Sequence, residues 1–282
     1  GLAYVFLVLL VLTPRSVLAP GDAKITWLEV GQGNAAVIET RSHTVVIDTG
    51  PAWRNGQHAA SFTLIPYLQE RGLTRIDTLI ITHADSDHRG GIDELVESFD
   101  IAQAWVGEPI EALPAAQPCV AGQQWEYDGV TFQFLAPPTP FAATGNAASC
   151  VTSVGRGGER VLFTGDIAGI EEYSMAMLLN GEFAVVEAPH HGSRSSSGSV
   201  FLDKVAPRHV VISAGYHNAY SMPNDIAKCL QLDWEWCVYS IERSDAESSR
   251  LSGSIRHISS FGYGIVETDE LKKGLVFELT DK

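Results

Sequence analysis

The sequence is short of basic residues: 19 lysines and arginines stand against 34 aspartates and glutamates, a formal net charge of −15 over 282 residues. That balance excludes a broad electrostatic grip on nucleic acid, although a metal-lined cleft can still hold phosphates locally. Cysteine is scarce too. Cys119, Cys150, Cys229 and Cys237 include no CxxC pair, which excludes zinc-finger and thioredoxin-like chemistry. Cys229 and Cys237 could pair in an oxidising compartment, but buried free thiols are the expectation. An internal repeat and a long low-complexity tract are also lacking, and the length suits one large domain or two small ones with a sizeable core. Residues 3–12 (AYVFLVLLVL) form a bare apolar run, shorter than the ~18–20 residues of a membrane span. The run reads as a truncated transmembrane helix, or as a signal-peptide core without its basic head; Pro14, Pro20 and Gly21 mark a linker after it. We therefore expect residues 1–20 to be such a segment with its linker and residues 21–282 to be the folded domain.

What is present is concentrated. Residues 82–91 read THADSDHRGG and place His83, Asp85, Asp87 and His88 within six positions, with Gly90 and Gly91 behind them. Residues 77–82 are apolar on both faces, the pattern of a strand buried on both sides. Residues 92–99 carry apolar side chains at helical spacing, with acids in the first turn, where the helix dipole favours them. The cluster therefore occupies a strand-to-helix loop, the usual place for a site in an α/β protein. Extended geometry sends His83, Asp85 and Asp87 to one side and His88 to the other, but a loop curling here can divide the four between two adjacent metal ions. A solvated polar turn needs no such density of ligand types.

Elsewhere, residues 25–30, 35–39 and 44–47 read as strands, and a helix follows with Pro66 near its first turn and Gly72 past its end. Residues 125–135 suggest a hairpin on Asp128-Gly129, and residues 151–154 and 160–163 another across Gly157-Gly158. A helix over 171–179, strands over 184–188 and 210–213, and a mobile Ser/Gly-rich loop at 193–199 complete the pattern. Strands, a helix, strands again and then helix and strand suggest two mixed sheets packed face to face with helices outside, an α/β layered sandwich.

Three further strand ends carry ligand chemistry: Asp48 in IDTG, Asp166 in FTGD, and His190 and His191 in PHHGS. Alone, each is weak, since an Asp before Gly is usually a turn former and a histidine pair usually surface chemistry. Together with residues 83–88 they are strong, because strand ends can converge on one rim. Asp166 has the chemistry of a carboxylate bridging two cations.

The order HxDxDH-x-GG, TGD and PHHGS, with VGQG and IDTG upstream, resembles the metallo-β-lactamase superfamily. Within it, about residues 24–240 resemble the C-terminal hydrolase domain of the ComEC family of DNA-uptake competence proteins. The resemblance implies an αββα metallo-β-lactamase-like sandwich, two divalent metal ions, and phosphodiester hydrolysis with DNA as substrate. It further implies degradation of one strand of incoming DNA, other competence proteins as partners, and a membrane-tethered domain on the extracytoplasmic side. Under it, His83 and Asp85 serve one metal and Asp87, His88 and His191 the other, Asp166 bridges them, and Asp87 and Asp166 are the catalytic carboxylates. His191 is preferred as ligand because it directly precedes Gly192; His190 then orients, and Asp48 fixes the loop from behind. The helix starting near Ile92 points its N-terminus at the site and can help hold an anion.

The chain also departs from the pattern. Asn34 stands where the family often has aspartate, and residues 221–224 (SMPN, with Met222) stand where it often has a late histidine. Ser149 and Cys150, after Asn146, fall where many members place a histidine ligand, and no histidine lies between His88 and His190. Asn34, Asn146 and Ser149 are accordingly either supports behind the ligands or oxygen ligands themselves, and Ser193, Ser195, Ser196 and His217 are possible substrate contacts. So carboxylate-rich a set favours manganese, with zinc possible. His43, His58, His209 and His257 are expected in surface or hydrogen-bonding roles. Two rival readings are a secreted phosphodiesterase for small or cell-wall substrates, which the acidic charge supports, and a non-catalytic module, motivated by Asn34 and Met222.

Overall fold

Val45 and Ile47 leave their strand on one side and Val46 on the other, and all three are fully buried. A strand covered on both faces needs a layer above and a layer below. The computed structural model describes residues 18–215 apart from 142 and 180, residues 218–223, and the strands Cys237–Ser240, Ile265–Thr268 and Gly274–Leu279. The apolar run at 3–12, His217, Asn224, Cys229 and His257 lie outside the described residues. Among the described residues, no helix is long and apolar enough to cross a membrane.

The first strands in chain order are β1 (Ala23–Leu28), β2 (Ala36–Glu39), β3 (Thr44–Ile47), β4 (Arg75–Ile76), β5 (Thr78–Ile81), β6 (Asp100–Ile101), β7 (Ala104–Val106) and β8 (Gln117–Pro118). There follow β9 (Gln124–Tyr127), β10 (Val130–Ala136), β11 (Val151–Arg156), β12 (Glu159–Phe163), β13 (Val185–Glu187), β14 (His209–Ile212), β15 (Cys237–Ser240), β16 (Ile265–Thr268) and β17 (Gly274–Leu279). The two large sheets have the orders β16-β17-β1-β2-β3-β5-β7-β8 and β15-β14-β13-β12-β11-β10-β9, and β4 and β6 form a separate parallel pair. Both large sheets are mixed: β3, β5, β7 and β8 run parallel, as do β12 to β15, and their remaining pairs are antiparallel.

Alternation along the strands sends Ile25, Trp27, Ile38, Val45 and Ile47 into the space between the sheets. There they meet Phe132, Phe134, Val154, Val161 and Phe163 of the second sheet. Val37, Val46, Leu79 and Ile81 face the other way, onto the π-helical turn Ala60–Leu64, the α-helix Ile65–Glu70 and the helix Ile92–Ser98. On the far side of the second sheet, Leu162 and Val186 pack against Met175 and Phe201 of the helices Ile170–Ala176 and Ser199–Val205. Helix, sheet, sheet, helix: this is the αββα sandwich.

Two expectations are corrected. Cys119 and Cys150 are not free thiols but a disulfide, with Cα atoms 5.8 Å apart across 31 residues of sequence. Cys119 N–H donates to Val106 O beside β7 and Cys150 N–H to Thr82 O beyond β5, so the parallel β5–β7 pair draws the two thiols together. The loop at 193–199 is pinned, not mobile. The buried Glu172 carboxylate accepts the backbone N–H groups of Ser197 at 2.7 Å and Gly198 at 2.9 Å, just ahead of the Ser199–Val205 helix.

Candidate metal centre

Chain exits from β3, β5, β12 and β13 meet at one end of the sandwich. Asp48, the first residue past β3, has a left-handed backbone (φ 58°) that turns its carboxylate under the neighbouring exit from β5. Its Oδ1 accepts the Thr82 backbone N–H at 2.7 Å, and its Oδ2 accepts Asn34 Nδ2 at 3.2 Å and His88 Nδ1 at 2.7 Å. A carboxylate can only accept, so His88 carries a proton on Nδ1, and its Nε2 edge faces the site. Beyond Thr82 the chain curls instead of continuing extended, so the His88 ring comes back to 4.2 Å from that of His83.

Asp166 sits opposite. Its N–H donates to Ser149 Oγ at 3.0 Å. Gly165 before it has φ 54°, and a Cβ there would lie 2.8 Å from Ser149 Oγ, so the close approach of this exit to Ser149 requires glycine. Asp166 Oδ1 lies 3.0 Å from His88 Nε2, and Oδ2 lies 3.5 Å from His191 Nε2, 3.7 Å from His190 Nε2 and 4.0 Å from His83 Nε2. His191 Nε2 is 3.5 Å from Asp87 Oδ2 and 3.3 Å from His88 Nε2. His83 Nε2 is 3.5 Å from Asp85 Oδ2. Asp87, His88, Asp166 and His191 each offer one ligand atom, all within 4.8 Å of one another.

The electrostatics reflect this crowding. Burial pushes the Asp166 carboxyl up, but the His88 and His191 imidazoles outweigh it and hold the group well below the usual range. Burial likewise opposes the His88 and His191 charges, yet Asp166, with Asp48 for His88 and Asp87 for His191, raises both, His191 to about 9. His83 is lowered, by burial first and then by His88. Asp87 is lowered as well: burial opposes this, and the hydrogen bond with His191 and the His88 charge outweigh it.

The donor set fits a divalent cation held by Asp87, His88, Asp166 and His191. His83 Nε2 is fully buried and makes no hydrogen bond, a condition costly for a polar atom unless a ligand answers it. His88 Nε2 and His191 Nε2 lie 3.3 Å apart, and each is within 3.5 Å of an Asp166 oxygen, so one cation could draw on all three side chains. His83, His88, His190, His191, Asp85, Asp87 and Asp166 are the side chains that could hold such ions.

The other sequence candidates are placed as follows. Asn34 supports Asp48. Ser149 Oγ approaches His83 from its Nδ1 edge, 3.5 Å away and opposite Nε2, so it stands behind the ligand atoms and not among them. Asn146 Nδ2 lies 3.3 Å from His190 Nδ1. His190 itself is aimed at Asp166 and not at His191, whose ring centroid is 6.2 Å away. The Ser196 hydroxyl donates to the Pro189 and Ser193 carbonyls, which removes it from substrate contact, whereas Ser193 and Ser195 pair through their hydroxyls at 2.9 Å with Ser195 exposed. The helix Ile92–Ser98 carries Asp93 and Glu94 in its first turn, and these acids oppose an anion there. His43 and His58 have the ordinary partners expected of them, Asp128 and Glu94.

Sequence reasoning missed Glu187 and Thr82. Glu187 is buried beneath the centre; burial and the Asp48 charge raise its carboxyl to about 7 against the nearby imidazoles and a Trp27 hydrogen bond. A lone acid in the apolar stretch AVVEAP was its only signal.

Four strand-end loops converging on His and Asp side chains, above a doubly layered αββα core, define a hydrolase scaffold with a candidate metal site. The profile of the Metallo-beta-lactamase superfamily matches residues 28–217, and the chain belongs to that superfamily. Among its relatives, Competence protein ComA of Neisseria gonorrhoeae is 36% identical over 206 residues, covering 72% of this chain and 29% of that protein. ComE operon protein 3 of Bacillus subtilis is 31% identical over 238 residues, covering 75% and 30% respectively. The chain thus spans about three tenths of the length of these relatives. The metallo-beta-lactamase fold protein YhfI from Bacillus subtilis superposes with a TM-score of 0.50 at 12% identity, over 77% of this chain and 96% of that one, a likeness of fold alone.

Proposed function

We propose that this domain hydrolyses phosphodiester bonds in DNA with two divalent cations, manganese favoured, as part of a machinery for DNA uptake. One observation carries the reading. A single buried carboxylate, Asp166, turns its two oxygens toward nitrogens of His83, His88, His190 and His191. His83 and Asp85 would hold one cation and Asp87, His88 and His191 the other, with Asp166 shared. Bound there, such ions supply Lewis-acid polarisation of a phosphoryl oxygen and acidify water at neutral pH. The chain's own residues do the positioning. Asp48 fixes the His88 ring, Ser149 fixes the Asp166 backbone, and Asp87, its side chain 32% exposed, keeps an ionised carboxylate at the solvent side.

The competence relatives support the DNA-uptake context. The Cys119–Cys150 disulfide supports an oxidising, extracytoplasmic location, with the membrane and other competence proteins as neighbours. The test is hydrolysis of end-labelled single-stranded and duplex oligonucleotides by metal-stripped protein, with and without added manganese. Manganese-dependent cleavage is expected. Two bound cations with no cleavage of either substrate would overturn the assignment to DNA.

A further inference from the structure

Glu187 closes β13, three residues before the histidine pair, and its carboxylate enters the space between the two sheets. Only 3% of the residue is exposed. Oε1 accepts a hydrogen bond from Trp27 Nε1 of β1, in the first sheet, at 3.2 Å. Oε2 accepts the backbone N–H of Thr164, the residue after β12, at 3.3 Å. In return Thr164 Oγ1 donates to the Glu187 carbonyl at 3.0 Å. Two residues beyond each partner stand Asp166 and Pro189, and His190 N–H donates to Gly165 O at 3.0 Å. The TGD and PHHGS turns are therefore tied to each other and to the first sheet through one side chain.

This geometry calls for an acid. Both carboxylate oxygens face N–H donors, so an amide at this position would set its own NH2 group against one of them. Nor does packing call for it: the neighbouring Trp27 and Phe163 rings already stack on each other at 5.1 Å, and a hydrophobic side chain beside them would avoid burying a polar group. We propose that Glu187 is a positioning residue of the metal centre: it fixes the Asp166 turn relative to the His191 turn and so sets the affinity for the cation those turns share. The proposal rests on the two-cation reading above.

Groups hydrogen-bonded directly to metal ligands change affinity or activity by about 10–100-fold when altered; Glu187 acts one step behind them, through the Thr164 backbone. The experiment compares Mn2+ titration calorimetry of wild type, Glu187→Gln and Trp27→Phe, together with thermal melting and oligonucleotide hydrolysis. Glu187→Gln should weaken one of the two Mn2+ sites by about tenfold or more and lower kcat with KM little changed. Trp27→Phe, which removes only the Oε1 donor and keeps the aromatic packing, should weaken the same site by a smaller factor. If Glu187→Gln does not fold, Trp27→Phe decides. A lowered melting temperature with both Mn2+ affinities and kcat at wild-type values would reduce Glu187 to a stability role and overturn the proposal. So would a wild type that binds no Mn2+. Two Mn2+ bound by a wild type that cleaves nothing removes the nuclease reading, and the affinities alone then decide Glu187.

Discussion

Asp48 Oδ2 and His88 Nδ1 lie 2.7 Å apart, and both residues are fully buried. The pair fixes which imidazole nitrogen faces Asp166. Replacing Asp48 with alanine would free the ring to rotate, to take the other tautomer, and to lose basicity at Nε2. We expect about 10–100-fold weaker Mn2+ binding at one site. Calorimetric titration checks this, and wild-type affinity in a folded Asp48→Ala protein would remove Asp48 from the centre.

Asp166→Asn changes charge and little else in size. An amide is a much poorer ligand than a carboxylate for hard cations, and Asp166 faces every histidine of the site. Hydrolysis should fall by at least about 100-fold with the fold intact. Near-normal turnover in a metal-replete Asp166→Asn protein would show that Asp166 is not shared between the ions.

The disulfide should matter for stability. Closing a loop of 31 residues restricts the unfolded chain, and the loop-entropy argument gives about 3–4 kcal/mol. Cys119→Ala, or reduction, should therefore lower the melting temperature by roughly 6–15 °C. A melting temperature insensitive to reductant would mean that the bond contributes nothing.

How much of this was legible in the sequence follows from the range of each interaction. His83, Asp85, Asp87 and His88 lie in one loop, and TGD and PHHGS each end a strand, so local motifs were enough to expect them on one rim. Their backbone partners were not legible. Trp27, Thr164 and Glu187 meet only because β1 lies across from β12 and β13 in the other sheet. Cys119 and Cys150 meet only because β5 and β7 lie side by side. Ser149 needed the fold to separate its two readings, ligand or support behind the ligands: its hydroxyl is turned to the Asp166 N–H. The serine-rich loop looked mobile because its tether, Glu172, comes from another helix.

Asp128 gives a pH-dependent test away from the site. Burial pushes its carboxyl up, but hydrogen bonds from His43, Thr40 and Ser42 outweigh that and hold it well below 3.8. A depressed folded pKa contributes stability that is full above the unfolded value and is lost as pH falls toward the folded one. Asp128→Asn should thus cost about 1–2 kcal/mol near neutral pH, with the gap from wild type narrowing below about pH 4. Urea midpoints of both proteins at pH 7 and at about pH 3 measure it, and a gap that stays constant contradicts the assignment.

The last prediction concerns the choice of metal. Zinc sites favour nitrogen and sulfur ligands, whereas oxygen-rich sets suit manganese and magnesium. Here His83 is the nitrogen assigned to the first site, beside oxygens of Asp85 and Asp166. The second site would draw two nitrogens, from His88 and His191, beside Asp87 and Asp166. The Cys119–Cys150 disulfide leaves neither sulfur as a thiolate ligand. We therefore expect manganese to support hydrolysis fully and zinc to bind tightly but activate poorly, because the first site favours a harder ion of higher coordination number. The check is to strip the protein and restore manganese, magnesium and zinc singly, measuring bound metal and turnover in parallel. Full activity with two equivalents of zinc and none with manganese would sink the assignment. It would also count His190, whose Nε2 lies 3.7 Å from Asp166 Oδ2, among the ligands of the first site.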